Sequence, residues 1–230
     1  MAFNYSPKII TDGLVLCLDA ANTKSYPGSG TVWSDLSRGG NNGTLTNGPT
    51  FNSANGGSIV FDGVNDYVSC GRQSHLENSN KFTLQSWMKR KTNTSKIMVA
   101  QVASLSTDVS FELWSDSNVY FEVGNGGNTY GFTTLVGTNW QFLSLVYDGT
   151  QPNNSTRLKG FNNDTQLTLQ YNGTIPSSTG TINANLVIGG YLFTNTYGDG
   201  NIANLQIYNR ALSATEVLQN FNATRARFGI

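Results

Sequence analysis

The apolar residues of this chain alternate with polar ones in short runs, and most runs end at glycine, asparagine or aspartate. A period of two sends successive side chains to opposite faces of a pleated strand, so each run predicts a half-buried strand. Residues 14–18 put Leu14, Leu16 and Leu18 on one face. Residues 82–89 alternate over a longer stretch. Phe82, Leu84, Ser86 and Met88 point one way, and Thr83, Gln85, Trp87 and Lys89 the other. Further strands are expected over 97–102, 109–114, 118–123, 130–134, 140–147, 158–161, 165–171 and 185–188. The stretch 57–70 organises the chain. There Ile59 and Phe61 share a face, Asp62-Gly63 and Asn65-Asp66 turn the backbone, and Tyr67-Val68 resumes the alternation. It reads as two short β runs joined by a tight acidic turn at the rim of a sheet.

Residues 19–48 carry the turn signals Pro27-Gly28, Gly39-Gly40 and Asn47-Gly48 and read as loop. Tyr26 and Trp33 stand out in it, either as a ligand platform or, more in keeping with a long loop, as its packing anchors. The cluster Lys89-Arg90-Lys91 reads as a solvated strand end, and 151–155 as a polar loop. One helix start is strong. Ser213 and Glu216 have capping-box spacing, and Leu212 and Val217 that of a hydrophobic staple. Val217, Leu218 and Phe221 are expected to pin this short helix to the strands, followed by a basic, partly apolar tail with Arg225, Arg227, Phe228 and Ile230.

Five segments in order resemble the laminin-G-like branch of the concanavalin-A-like lectin/glucanase superfamily. They are NNGTLTNGPTF (41–51), FDGVNDYV (61–68), FTLQSWMK (82–89), WQFLSLVYDG (140–149) and GDGNIANLQIYNRALSATEV (198–217). The resemblance implies an all-β fold: a two-sheet antiparallel jelly-roll sandwich with one short C-terminal helix. The expected division is an N-terminal arm (1–12), the domain (13–222) and a C-terminal tail (223–230). Many members read Asp-Gly-X-Ile-Asp before the last strand, the second aspartate being a plausible calcium ligand. Here Ala203 follows Asp199-Gly200-Asn201-Ile202, which weakens the calcium expectation and leaves Asp62, Asp66 and Asp199 as the candidate oxygen ligands. The alternative for Asp62 and Asp199 is that they are turn residues capping backbone amides. No other cofactor is expected.

A narrower resemblance joins the front, KIITDGLVLCLDAANTKSYPGSG, to the back, YNRALSATEVLQNFNATRARFGI. It is to stand-alone laminin-G-like virion proteins of tailed, particularly marine, bacteriophages. It implies a virion surface protein, a capsid decoration or fibre component made in the host cytoplasm. The implied partners are other virion proteins, host-surface glycans and further copies of the same chain. No signal-peptide pattern or bilayer-length apolar run stands in the sequence, so no membrane insertion is expected.

Composition narrows the chemistry. Lys and Arg number 14, as do Asp and Glu, so the zero net charge argues against a broadly basic nucleic-acid surface. Cys17 and Cys70 both fall in predicted strands. Two buried thiols is the reading preferred over a cross-link in a chain without an export signal. The single histidine, His75, lies in a polar loop and makes a poor base for a nucleophilic triad. A glycosidase would need closely spaced carboxylates, and Glu112, Asp116 and Glu122 are the nearest candidates, with Trp114 standing where the strand pattern wants a second acid. Binding is the better reading. If Leu84, Phe111, Leu113, Phe121 and Val123 face the core, then Gln85, Trp87, Glu112, Trp114, Tyr120 and Glu122 share the opposite sheet face. That set offers the aromatic, amide and carboxylate groups that sugars require. A second candidate group is Tyr191, Phe193 and Tyr197. The leading expectation is therefore a non-enzymatic lectin-like module. The alternatives are a structural decoration protein without a ligand and a glycan-degrading enzyme.

Overall fold

The computed structural model describes residues 7–102, 109–125, 129–135, 137–192 and 194–230; the side chains of 109–113 lie outside the description. Two antiparallel sheets face one another. The eight-stranded sheet runs Thr165–Gln166, Leu158–Asn162, Gln141–Asp148, Lys81–Arg90, Asp199–Tyr208, Ser58–Asp62, Thr50–Asn52. The remaining strand, Leu14–Asp19, pairs with the far half of Asp199–Tyr208. The nine-stranded sheet runs Gln170–Asn172, Tyr130–Thr134, Asn118–Val123, Val109–Ser115, Ile97–Val102, Leu186–Ile188, Tyr67–Ser69, Gly43–Thr46, Val32–Trp33. This is the expected jelly-roll sandwich. Among the described residues no helix is long and apolar enough to cross a membrane.

The core between the sheets is built by the alternation. Leu84, Leu145, Leu205 and Ile207 come from one sheet and meet Val99, Val119, Phe121 and Ile188 from the other. Gly160 sits opposite Phe121, and a Cβ there would overlap the ring, so glycine lets the two sheets close. Phe111 and Leu113, also expected in the core, lie among the side chains outside the description.

The stretch 57–70 departs from its reading in one respect. Its two runs do not pair with each other, because Ser58–Asp62 joins the eight-stranded sheet and Tyr67–Ser69 the nine-stranded one. The acidic turn carries the chain across the rim from sheet to sheet. Ile59, Phe61 and Val68 therefore enter the same core from opposite sides. Residues 165–171 make the same kind of crossing and break into two strands, with Leu167 and Leu169 packed against the core between them. The long early loop holds two short strands, and its aromatics are anchors: Trp33 and Tyr26 are both buried in the core. Within the expected polar loop, Asn153 caps a single helical turn, Asn154–Arg157.

The C-terminal helix, Ala214–Thr224, begins where the capping box placed it. The Ser213 Oγ accepts from the Glu216 N–H at 3.3 Å, and the Ser213 N–H donates to Glu216 Oε2 at 2.8 Å. Leu212 and Val217 are buried in one cluster, as a staple requires. The tail beyond it folds back as a short 3-10 turn, Arg225–Phe228, and Arg227 pairs with Asp19 at 2.9 Å. Lys89 and Lys91 are exposed, but Arg90 between them is buried, which corrects the reading of a solvated strand end. Its guanidinium donates to the carbonyls of Asn93, Leu135 and Gly137, and so ties two loops to the sheet.

Candidate functional site

The six residues expected to share one face are divided between the two sheets. Gln85 and Trp87 lie on the strand Lys81–Arg90 of the eight-stranded sheet, whereas Glu112, Trp114, Tyr120 and Glu122 lie on adjacent strands of the nine-stranded one. Gln85 and Trp87 face outward from the first sheet and Trp114, Tyr120 and Glu122 from the second, so the sandwich separates the two sets by its full thickness. Gln85 and Trp87 are also closed off from solvent. The helix and tail cover them, with Trp87 stacked on Phe228 at 4.0 Å and on Phe221 at 5.8 Å. The Trp87 indole N–H donates to Thr224 Oγ1 at 2.8 Å. Gln85 accepts from the Asn220 amide at 2.6 Å and donates to Ser144 at 2.9 Å. These two residues hold the helix down and are not ligand contacts, a correction that follows from where the helix docks.

On the nine-stranded sheet the remaining candidates do come together. Val119, Phe121 and Val123 point into the core, so Tyr120 and Glu122 point out. Tyr120 stands directly across from Trp114 on one side and Phe132 on the other. The Trp114 and Tyr120 rings are parallel within 5° at 4.0 Å, and Phe132 continues the row at 5.7 Å. Rings that stack across neighbouring strands at this spacing stand on edge and form a ridge. Tyr130 meets Tyr120 and Phe132 edge-on at 5.6 and 5.7 Å. The four rings are half-buried, and the Lys96 ammonium lies 5.9 Å from the Trp114 ring centre. Tyr130 and Phe132 were not among the expected site residues, although alternation over 130–134 had the signal that places both on this face.

Beside the ridge stands a buried carboxyl with one oxygen left without a partner among the described residues. Glu122 is 3% exposed, and no described group hydrogen-bonds to its Oε1. Its backbone pairs with Glu112 on one side and Tyr130 on the other. Burial pushes the Glu122 carboxyl up to about 7. The side chain of Glu112 lies outside the description, as does Phe193.

The second expected group reaches the same face. Gly190–Tyr191 pairs with Thr196–Tyr197 as a small hairpin laid over the nine-stranded sheet. Tyr191 is buried against Met98 and Ala100, in the apolar cluster on which Trp114 also packs. Tyr197 is half-buried and pairs with Gly190, close against its backbone. Next to the hairpin is a cleft of about 200 Å³ lined by Ala100, Val102, Val187, Asn185 and Tyr191. Trp114, Tyr120, Glu122, Tyr191 and Tyr197 thus share one outward region, built from two strands and a hairpin.

A family model described as the concanavalin A-like lectin/glucanases superfamily, of the laminin-G type, matches residues 62–218, more than half of the chain. The chain belongs to this superfamily. No curated protein matches the sequence. Solved structures share the fold at low identity. A Trypanosoma rangeli sialidase in complex with sialic acid aligns at 15% identity and a TM-score of 0.68, over 97% of this chain and 36% of the sialidase. The binding domain of Paraclostridial Mosquitocidal Protein 1 aligns at 15% identity and 0.66, over 92% and 52%. The receptor binding domain of botulinum neurotoxin C/D mosaic serotype aligns at 12% identity and 0.67, over 92% and 51%. In each case the chain spans well under two thirds of the neighbour's length.

For a concanavalin A-like domain the carboxylates at the rim invite a test for calcium. Asp62 and Asp199 do stand opposite one another in adjacent strands. Asp62 accepts from the Val64 N–H at 2.8 Å, and Lys91 pairs with Asp199 at 3.2 Å. Asp66 is buried, accepts from the Asp62 N–H at 3.2 Å, and is pushed up by burial and by Asp62. Ala203 is fully buried in the Trp87 cluster beside a register shift, where a carboxylate would meet aromatic rings. Carboxylates engaged in this way do not offer the converging oxygens that a hard cation takes. Among the described residues no group of three or more His, Cys, Asp and Glu gathers. Cys17 and Cys70 are free and buried, both thiols pushed up to about 12 chiefly by burial. His75 is exposed.

Proposed function

We propose that this domain is a non-enzymatic glycan-binding module, and that it binds through the outer face of the nine-stranded sheet. The observation that carries the reading is the Trp114–Tyr120–Phe132 ridge beside the Glu122 carboxyl, whose Oε1 has no described partner, on a face that no described helix covers. Ring edges and phenolic hydroxyls suit the mixed apolar and hydroxylated surface of a sugar, and a carboxyl fixes its orientation by hydrogen bonding. The direct test is a glycan array followed by titration calorimetry on Trp114→Ala and Tyr120→Phe. Loss of binding of tenfold or more in Trp114→Ala, with the fold intact, supports the reading. Equal binding by variant and parent defeats it.

The setting we propose is a virion surface, as a capsid decoration or fibre component exposed on the particle and assembled from several copies. What supports it is the likeness of the front and back segments to phage virion proteins. Cryo-electron microscopy of the intact assembly decides it: a free monomer outside any particle would remove this part of the proposal. A second reading, glycan hydrolysis, has one observation in its favour. Glu122 is held near neutrality, where a general acid works, and its backbone faces Glu112. Reducing-sugar release that disappears in Glu122→Gln and Glu112→Gln would replace binding with catalysis as the function.

A further inference from the structure

The cleft beside the Tyr191 hairpin has a chemistry of its own. Its floor is aliphatic, made by Ala100 and Val187, which are paired across adjacent strands, with Val102 on the same outward face. Tyr191 closes one side and belongs at once to the cleft and to the cluster on which Trp114 packs. The polar side-chain groups at the cleft are the Asn185 amide and the Tyr191 phenol. The Asn185 Nδ2 donates to Ser69 Oγ at 3.2 Å, while no described residue donates to its Oδ1. The cleft therefore offers aliphatic walls and one amide carbonyl still able to accept an N–H.

Register ties this cleft to the ridge. Ala100 pairs with Glu112, which pairs with Glu122, so the cleft floor and the buried carboxyl lie in one outward row. Two strand spacings separate them, roughly 10 Å. One sugar ring with a substituent spans that distance. We propose that the cleft receives the acetamido group of an N-acetylated sugar whose ring is held by the Trp114 ridge, so that the domain selects 2-acetamido sugars over their hydroxyl counterparts.

An acetamido group carries a methyl and an N–H on adjacent atoms, and this matches aliphatic walls beside a free carbonyl. A hydroxyl in the same place would lose its water against Ala100 and Val187 and leave the aliphatic walls unfilled. A deoxy sugar's methyl would fill the walls but make no hydrogen bond to the Asn185 carbonyl, which is exposed and would keep only its water. A sugar carboxylate would find no cation among the lining residues, and Glu122 stands in the same row.

The inference rests on the glycan-binding reading, and the experiment keeps the two apart. Calorimetry is run with matched ligands: tri-N-acetylchitotriose, its fully de-N-acetylated form and cellotriose, then N-acetylgalactosamine with galactose and N-acetylmannosamine with mannose. The expected result is that in at least one set the acetamido member binds tenfold or more tightly than its counterparts. Asn185→Ala, at an exposed position, should bring that ratio down toward one. Ala100→Leu should do the same by filling the cleft, and Trp114→Ala should weaken every member. Equal binding within each set, all of it dependent on Trp114, overturns the cleft assignment while the ridge stands. Preference for a 6-deoxy sugar, tested with fucose, also overturns it. Absence of binding in every set removes cleft and ridge together.

Discussion

The outer face of the eight-stranded sheet carries Trp87 and Phe142, and that of the nine-stranded sheet carries Trp114, Tyr120 and Phe132. Both faces place large rings directly across neighbouring strands. On the first, the capped helix and the tail bring Phe221 and Phe228 down onto Trp87, and with Trp140 and Ala203 they form a second hydrophobic core outside the sandwich. On the second, the rings stack on one another and remain half-buried. The comparison teaches that aromatic residues on the solvent side of a strand have no fixed role. Whether they stabilise the fold or meet a ligand depends on what the rest of the chain lays over them.

The largest expected effect comes from Trp87→Ala. Removing a fully buried indole should cost about 3–5 kcal/mol and loosen the helix, read as a lower urea midpoint. A loss below about 1 kcal/mol would show that the covered face is not a core. Next is Glu122→Gln on the open face. The folded carboxyl titrates near 7, above its ordinary 4.5, so its protonated form is the one the fold prefers. Its contribution is complete below about pH 4.5 and is lost as pH rises through 7, a change of about 3 kcal/mol. Stability profiles of parent and variant should therefore diverge by that amount between pH 4.5 and 8, the variant being the flatter. Parallel profiles would mean that Glu122 is solvated in the fold.

Smaller effects sharpen the contrast. Arg210 holds Glu216 down to about 2 through a paired contact at 2.7 and 3.0 Å, and Glu216 also completes the capping box. Because the side chain is partly exposed, Glu216→Ala should cost only about 1 kcal/mol at neutral pH. Here the folded value lies below the unfolded one, so this contribution is present above pH 4.5 and disappears as pH falls toward 2. Chemical denaturation at pH 7 and pH 2.5 separates the two conditions. The smallest effect on stability is expected from Trp114→Ala, roughly 1 kcal/mol or less given its partial exposure, while glycan binding falls tenfold or more. A loss comparable to that of Trp87→Ala would erase the distinction between the faces.

Much of this was legible in the chain. Alternation located the strands, Ser213 and Glu216 located the helix start, and Trp114, Tyr120 and Glu122 were found on a common outward face. The same reasoning put Gln85 and Trp87 with them, and missed Tyr130 and Phe132. It also took Arg90 for a solvated residue. The misplacement of Gln85 and Trp87 has one source. Period two tells which side of its own strand a residue occupies, but not which sheet that strand joins.

The sequence by itself determined the local features: strand faces, turns at Gly and Asn, the capped helix and the class of fold. These depend on backbone preferences and on side chains a few residues apart. Only the tertiary structure decided that 57–70 crosses between sheets, that the helix closes over Trp87, and that the Tyr191 hairpin comes to lie beside the Trp114 ridge. Each of those outcomes depends on contacts between residues far apart in the chain, where the free energy gained is that of two buried surfaces matching and neither segment alone encodes the match.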